Sequence, residues 1–204
     1  MIELLIFDLG NVVYKFSYDN AIAYWSMKYG ENIRNNKAQL LSDKYFELFE
    51  INAIDVIDYK NHIISLLNID LSLEDFIFGW NSIFMNEIEG IRNLLVNLRN
   101  KYKIVALSNT NDIHWEFIKN KYAQLFMLFD DIYLSNKLKM RKPNKSIFEY
   151  VLAQNKIDAS KALFFDDILE NINCASEIGM KVVHVTDIKS IIDGLHTKNV
   201  EVII

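Results

Sequence analysis

Asp8, Ser108, Lys142, Asp166 and Asp167 are the residues of this chain best suited to act together on a substrate. All but Lys142 stand where an apolar run stops. LLIFD ends on Asp8, IVALS on Ser108, and LFFDD on Asp166 and Asp167, while Lys142 lies in the polar stretch MRKPNKSIF. Short continuous apolar runs of this kind read as buried parallel strands. In open α/β sheets the ligand crevice lies outside the carboxyl ends of the strands. The strand ends therefore gather Asp8, Ser108, Asn109, Asp166 and Asp167 around one point, with Lys142 arriving from a loop. Three carboxylates, a hydroxyl, an amide and an ammonium in one crevice describe a divalent-cation site facing a phosphate.

Each residue type has a reason to be there. A carboxylate such as Asp8 can attack phosphorus and form an acyl phosphate, dividing one hard displacement into two easier ones. An anion attacking a phosphate is repelled unless a cation neutralises both, and magnesium does so with oxygen ligands. Asp166 and Asp167, adjacent at one strand end, repel one another without a cation. Ser108 suits a phosphate oxygen, helped by backbone N–H groups of the turn that includes Asn109. A serine at a strand end is also a common helix cap. Lys142 precedes Pro143, the only proline, which restricts the lysine to extended backbone. Its ammonium would stabilise charge on the nucleophile and the transferring phosphoryl group.

The elements that must position these residues alternate. Strand signals are ELLIFD, KIVALS, DDIYLS, ALFFDD and KVVHV. Helical patterns fall near 88–101, 111–121, 144–155, 168–179 and 187–195. Alternation of this kind predicts an α/β fold, a Rossmann-like parallel sheet with helices on both faces. The terminal VEVII would add an edge strand. From Ser17 to Asn86 there is no convincing strand. Ile22, Trp25 and Tyr29 repeat at helical spacing, as do Leu41, Tyr45 and Leu48, then Val56, Ile63 and Leu67. Ser72 and Asp75 form a capping-box pattern before Phe76, Ile77 and Trp80. The expected organisation is a core of residues 1–16 and 87–204 with a helical bundle, 17–86, inserted as a cap over the strand ends. Trp25, Tyr45, Phe46, Glu50 and Trp80 of the cap are candidates for substrate contact, although packing explains each as well. His114, in SNTNDIH, is near enough in sequence to reach the site, although a helix-surface histidine is the preferred reading.

Composition bounds the partners. The 204 residues are 51% hydrophobic and 24% charged, enough for a packed core, and the net charge of −5 disfavours nucleic acid. In the basic cluster Lys137, Lys139, Arg141, Lys142 and Lys145, Lys142 is assigned to the site and the others to solvent, with one more of them a candidate for touching substrate. The single cysteine, Cys174, permits no internal disulfide and reads as a buried structural thiol. No apolar run reaches membrane-spanning length, and MIELLIFD lacks a basic leader, so a cytoplasmic protein is expected. Oligomeric state is not legible.

The four motifs LLIFDLGNVV, IVALSNTN, MRKPNKSIF and LFFDDILEN, in this order across residues 4–171, resemble the haloacid dehalogenase superfamily of hydrolases. The resemblance implies a type C1 cap and a Mg²⁺ cofactor. It makes Asp8 the nucleophile and a metal ligand, the Gly10 carbonyl a further ligand, and Asp166 and Asp167 the remaining ones. Asn171 would orient the acidic pair. One departure stands out. The superfamily's phosphatases carry Asp-x-Asp, and this chain has Asp8-Leu9-Gly10. In the family the second acid protonates the leaving alkoxide and then activates water, help typically worth about 10²–10⁴-fold. Three readings follow: a phosphatase for leaving groups that need little protonation, a dehalogenase, or a catalytically silent phosphate-ligand binder or regulatory protein. FDLGNVV, SNTNDIH, IYLSNKLKMRKP and FFDDILENI resemble a subgroup of superfamily phosphatases that includes α-D-glucose-1-phosphate phosphatases and also has Gly at this place. The expectation is thus a Mg²⁺-dependent phosphatase of small phosphorylated metabolites, such as a sugar 1-phosphate, working through an aspartyl phosphate. Asn11 could offer a hydrogen bond to the leaving oxygen.

Overall fold

The computed structural model describes residues 1–30, 33 and 43–202. Five strands form one parallel sheet: β1 (Leu4–Phe7), β4 (Lys103–Ser108), β5 (Asp131–Leu134), β6 (Ala162–Asp166) and β7 (Lys181–His184). Their order is β5-β4-β1-β6-β7. The chain builds outward from β1 through β4 and β5, then returns to the other side of β1 with β6. This reversal opens a crevice at the carboxyl ends of the central strands.

The apolar runs are continuous because the central strands are covered on both faces. Every residue of β1 and β6 is buried. Alternate side chains point to opposite faces. Leu5, Phe7, Ile104, Ala106, Leu163 and Phe165 share one cluster with Leu95 and Leu98 of α5 (Ile91–Leu98) and Leu195 of α11 (Ile188–Thr197). Leu4, Ile6, Val105, Leu107 and Phe164 share another with Phe148 and Val151 of α9 (Lys145–Asn155) and Ala175 of α10 (Leu169–Glu177). Cys174 is buried in this second cluster, as expected. Two short helices, α7 (Ala123–Phe126) and α8 (Ser135–Leu138), flank β5, and α6 (Asp112–Lys121) follows β4.

The inserted bundle comprises α1 (Tyr18–Tyr29), α2 (Lys44–Glu50), α3 (Val56–Leu67) and α4 (Leu73–Asn81). Ser17, Asp43, Asp55 and Ser72 cap their N-termini, each side chain accepting backbone N–H groups of the first turn. Aromatic rings fill the centre: Trp25 stacks on Phe76 at 5.8 Å and on Trp80 at 6.0 Å. The α1–α4 approach needs Gly79, where a Cβ would lie 2.2 Å from Trp25 Nε1. The Ser72–Asp75 pattern resolves into half of a capping box. Ser72 Oγ accepts the Asp75 N–H at 3.1 Å and donates to Asp75 Oδ2 at 2.9 Å, and the Asp75 carboxylate also accepts from Tyr24, Tyr29 and Lys28 of α1.

Two expectations change. The segment read as strand-free ends in β3 (Phe84–Glu87), which pairs antiparallel with β2 (Tyr14–Phe16). The chain leaves the core by β2 and returns by β3, and strands this short carry no alternation signal of their own. Residues 200–202 form no strand, the last two residues of VEVII lie outside the described residues, and Val200 is buried. Leu41 of the expected helical spacing Leu41, Tyr45 and Leu48 also lies outside them. Among the described residues no helix is long and apolar enough to cross a membrane.

Candidate active site

Asp8 directly after β1, Ser108 at the end of β4 and Asp166 at the end of β6 meet at one crevice, and the loop before α9 brings Lys142 to it. Asp8, Ser108 and Lys142 are 8%, 4% and 2% exposed, and Asp166 is fully buried. Lys142 Nζ donates to Asp8 Oδ1 at 2.6 Å, to Asp166 Oδ2 at 2.7 Å and to the Leu107 carbonyl at 2.9 Å. All three donors of the ammonium are thus used, and its aim is fixed from three sides.

The lysine is held by a residue whose side chain the sequence did not single out. Asn109 Nδ2 donates to the Lys142 carbonyl and its Oδ1 accepts the Lys142 N–H, both at 2.9 Å. The side chain of Asn109 therefore clamps the Lys142 backbone. Asp166 is held as firmly. It accepts from Lys142, from the Ile168 N–H at 2.8 Å, and from Asn171 Nδ2 at 2.9 and 3.0 Å. Asn171 orients one acid of the pair. Asp167 is reached by Asn11 instead, whose Nδ2 donates to Asp167 Oδ2 at 3.3 Å. Asn11 also accepts the Phe16 N–H on Oδ1 at 3.2 Å, so its amide ties the acidic pair to β2. Its left-handed backbone, φ 53°, is one that asparagine tolerates.

Burial sets the electrostatics. It pushes the Asp8 carboxyl up to about 7; Lys142 opposes this, and the charges of Asp166 and Asp167 add to it. Asp167 is raised by burial and then by the Asp166 charge. For Lys142, burial pulls down, yet Asp166 and Asp8 together outweigh it and the ammonium is held above its ordinary value. Three carboxylates thus face a single lysine. One oxygen from each of Asp8, Asp166 and Asp167 lies within 4.8 Å of the others. Ligand oxygens at about 2.0–2.1 Å from an octahedral magnesium span comparable separations. Donor type, spacing and uncompensated negative charge all fit a hard divalent cation.

A cavity of about 290 Å³ opens from this cluster towards the bundle. Ser108, Asn109, Thr110 and Asn171 line its core side. Phe16, Tyr18, Phe46 and Glu50 line the other. Of the bundle candidates, Phe46 and Glu50 reach the cavity. Trp25 and Trp80 are buried in packing, and Tyr45, 46% exposed, stacks on His62. Gly10 also lines the cavity, and a Cβ there would lie 2.5 Å from Phe16 Cε1 and 2.9 Å from Cδ1. The ring of Phe16 thus occupies the space a side chain at position 10 would need.

Two readings of the sequence are corrected here. His114 is 4% exposed, with its ring stacked on Trp80 at 5.1 Å and Nε2 donating to the Trp80 carbonyl at 3.0 Å. Burial lowers it to about 3, so it is neutral, and it lines the cavity beside Thr110 and Phe84. The hydrophilic pattern around it hid a contact made across the bundle. Arg141 is not left to solvent: it bonds Glu50 Oε2 through Nε at 3.0 Å and Glu47 Oε1 through Nη1 at 3.0 Å. Lys137 and Lys145 pair with Asp112 and Glu177 on the surface.

A D-ribitol-5-phosphate phosphatase of Bacteroides thetaiotaomicron is 28% identical over 194 residues, 89% of this chain and 90% of that protein. A solved HAD family enzyme from the same organism superposes with a TM-score of 0.82 at 27% identity, covering 97% of this chain and 98% of that one. A structure of a wild-type HAD family enzyme from that organism, in complex with magnesium and inorganic phosphate, gives 0.77 at 28% identity over 89% and 93%. The family model for haloacid dehalogenase-like hydrolases matches residues 6–185. The chain belongs to the haloacid dehalogenase-like hydrolase family.

Proposed function

We propose that this protein is a Mg²⁺-dependent phosphatase of small phosphorylated metabolites, sugar phosphates in particular, acting through an aspartyl phosphate on Asp8. The observation that carries the reading is the buried cluster of Asp8, Asp166 and Asp167 around Lys142, open on one side to a cavity of metabolite size. Its likeness to a ribitol-phosphate phosphatase supports the substrate class.

Asp8 would attack phosphorus, one of its carboxylate oxygens forming the new bond while the ester oxygen leaves. Lys142 holds that carboxylate in place and offsets the charge that grows on the phosphoryl oxygens. Ser108 and the N–H groups of the following turn would take one of these oxygens. Asp8, Asp166, Asp167 and the Gly10 carbonyl would hold magnesium. The ion supplies charge neutralisation between nucleophile and phosphate. Water then hydrolyses the acyl phosphate and restores Asp8. The core of residues 1–16 and 87–204 would carry these groups, and the segment 17–86 would close over them.

Phe16 and Gly10 bear on the leaving group. With no acid at position 10 to protonate it, departure is favoured for oxygens that are already acidic, such as the anomeric oxygen of a sugar 1-phosphate.

The test is release of inorganic phosphate from sugar phosphates and acyl phosphates, with Mg²⁺ and with chelator. Metal-dependent release, abolished in Asp8→Asn and strongest for an anomeric or acyl phosphate, is the expected result. Intact, Mg²⁺-binding protein that releases phosphate from no substrate would refute it in favour of a ligand-binding role.

A further inference from the structure

We propose that Glu50 reads the organic part of the substrate, its free carboxylate oxygen accepting a hydrogen bond from a substrate hydroxyl. This rests on the phosphatase reading above and narrows it to phosphate esters that carry free hydroxyl groups.

Glu50 is the last residue of α2, and its side chain is 7% exposed and lines the same cavity as Asp8 and Lys142. Both bonds from Arg141 fall on one of its oxygens: Nε and Nη2 reach Oε2 at 3.0 and 2.9 Å. Among the described residues Oε1 has no hydrogen-bond partner. Because the side chain lines the cavity, this second oxygen is free to accept a donor from the ligand.

The chemistry of that donor follows from the charges. Arg141 is paired with Glu50 and with Glu47, and Lys142 is the next residue of the same loop. A substrate ammonium at this oxygen would stand beside the Arg141 guanidinium that already holds Glu50. A second anionic group would meet the carboxylates of Glu50, Asp8 and Asp167. A neutral hydroxyl is the donor that meets neither penalty. Burial raises the Glu50 carboxyl and Arg141 opposes this, which fits a paired but partly unsatisfied carboxylate.

The placement is rigid. Ser135 Oγ donates to the Glu50 carbonyl at 2.6 Å, and Asn52 Nδ2 donates to Asp112 at 2.7 Å two residues later. These bonds pin the end of α2 to the core beside the loop that carries Lys142. A fixed distance between the phosphate position and Glu50 is what a hydroxyl-selecting site requires. Phe46, one turn earlier on α2, and Phe16 present apolar faces to the rest of the ligand.

The experiment compares kcat/KM for ribitol 5-phosphate and glucose 1-phosphate with that for acetyl phosphate, which has no hydroxyl, in Mg²⁺. Wild type, Glu50→Leu and Glu50→Gln are measured, each with its melting temperature. Loss of a hydrogen bond to a charged group is worth about ten- to a hundredfold. The ratio of the hydroxylated substrates to acetyl phosphate is expected to fall by that factor in Glu50→Leu. Glu50→Gln, which keeps an acceptor but not the charge, should lower the ratio by only about threefold. An unchanged ratio, or an equal loss on all three substrates, overturns the proposal. Should Glu50→Leu fail to fold, Glu50→Gln carries the test, with a fall of about threefold expected and an unchanged ratio overturning it. A wild type that hydrolyses acetyl phosphate but neither hydroxylated ester refutes Glu50 alone. A wild type that hydrolyses none of them refutes the phosphatase reading, and the proposal falls with it.

Discussion

Gly10→Asp would give this chain the second acid that its motif lacks, and the structure says why the single substitution fails. A Cβ at position 10 would stand 2.5 Å from Phe16 Cε1. Carbon atoms in contact sit about 3.5–4.0 Å apart, so the ring must retreat by at least about 1 Å. It is poorly free to do so. The Phe16 N–H is bound to Asn11 Oδ1 at 3.2 Å, and the Tyr18 ring stands edge-on to it at 5.4 Å. Overpacking of this kind costs about 1–3 kcal/mol. For a chain of this length that lowers the melting temperature by about 2–12 °C. Displacing Phe16 also pulls on Asn11, and through it on Asp167, so hydrolysis should fall as well. Adding Phe16→Ala removes the obstacle. The double variant Gly10→Asp/Phe16→Ala should hydrolyse simple alkyl phosphates, whose leaving groups need a proton, up to about a hundredfold faster than Phe16→Ala alone. That factor corresponds to about 2.7 kcal/mol of transition-state stabilisation. Thermal unfolding and phosphate release across a series of leaving-group pKa values measure both parts. A Gly10→Asp protein that melts like wild type and gains activity on alkyl phosphates would refute the reasoning, because Phe16 would then not hold the place.

Other outcomes follow from the buried charges. Lys142→Met leaves Asp8 and Asp166 without their ammonium; breaking a buried pair in this way costs about 3–5 kcal/mol. Melting curves in chelator should show that loss, and Mg²⁺ should narrow it by binding the folded state. An equal loss in both conditions would argue that no cation enters the cluster. His114, lowered from 6.5 to about 3 by burial, takes up its proton in the unfolded chain first. Its contribution is full above pH 6.5 and is lost progressively as pH falls from there towards 3, amounting to about 2 kcal/mol at pH 5. Urea unfolding at pH 7 and pH 5 should show that excess loss in wild type and not in His114→Asn. Similar slopes in the two proteins would mean that the imidazole is not buried neutral in solution.

Much of this protein was legible along the chain because its signals are local. A strand covered on both faces must be apolar throughout, so LLIF, IVAL and LFF announce the sheet, and the polar residue that ends each run announces the crevice. The bundle announced itself by aromatic and aliphatic spacing. The nearness of Asp8, Ser108, Lys142 and Asp166 followed from the topology those runs imply. What the chain could not state were relations between residues distant in sequence and set by packing. Strands β2 and β3 are too short to carry a pattern and exist only as each other's partner across the inserted bundle. His114 looks like a surface residue until Trp80 is laid against it. Arg141 belongs to a basic run in sequence but to Glu47 and Glu50 in space. Gly10 reads as a missing acid. Only the fold shows Phe16 standing in its place, because two atoms cannot share one volume and no local pattern records which residue the chain brings there.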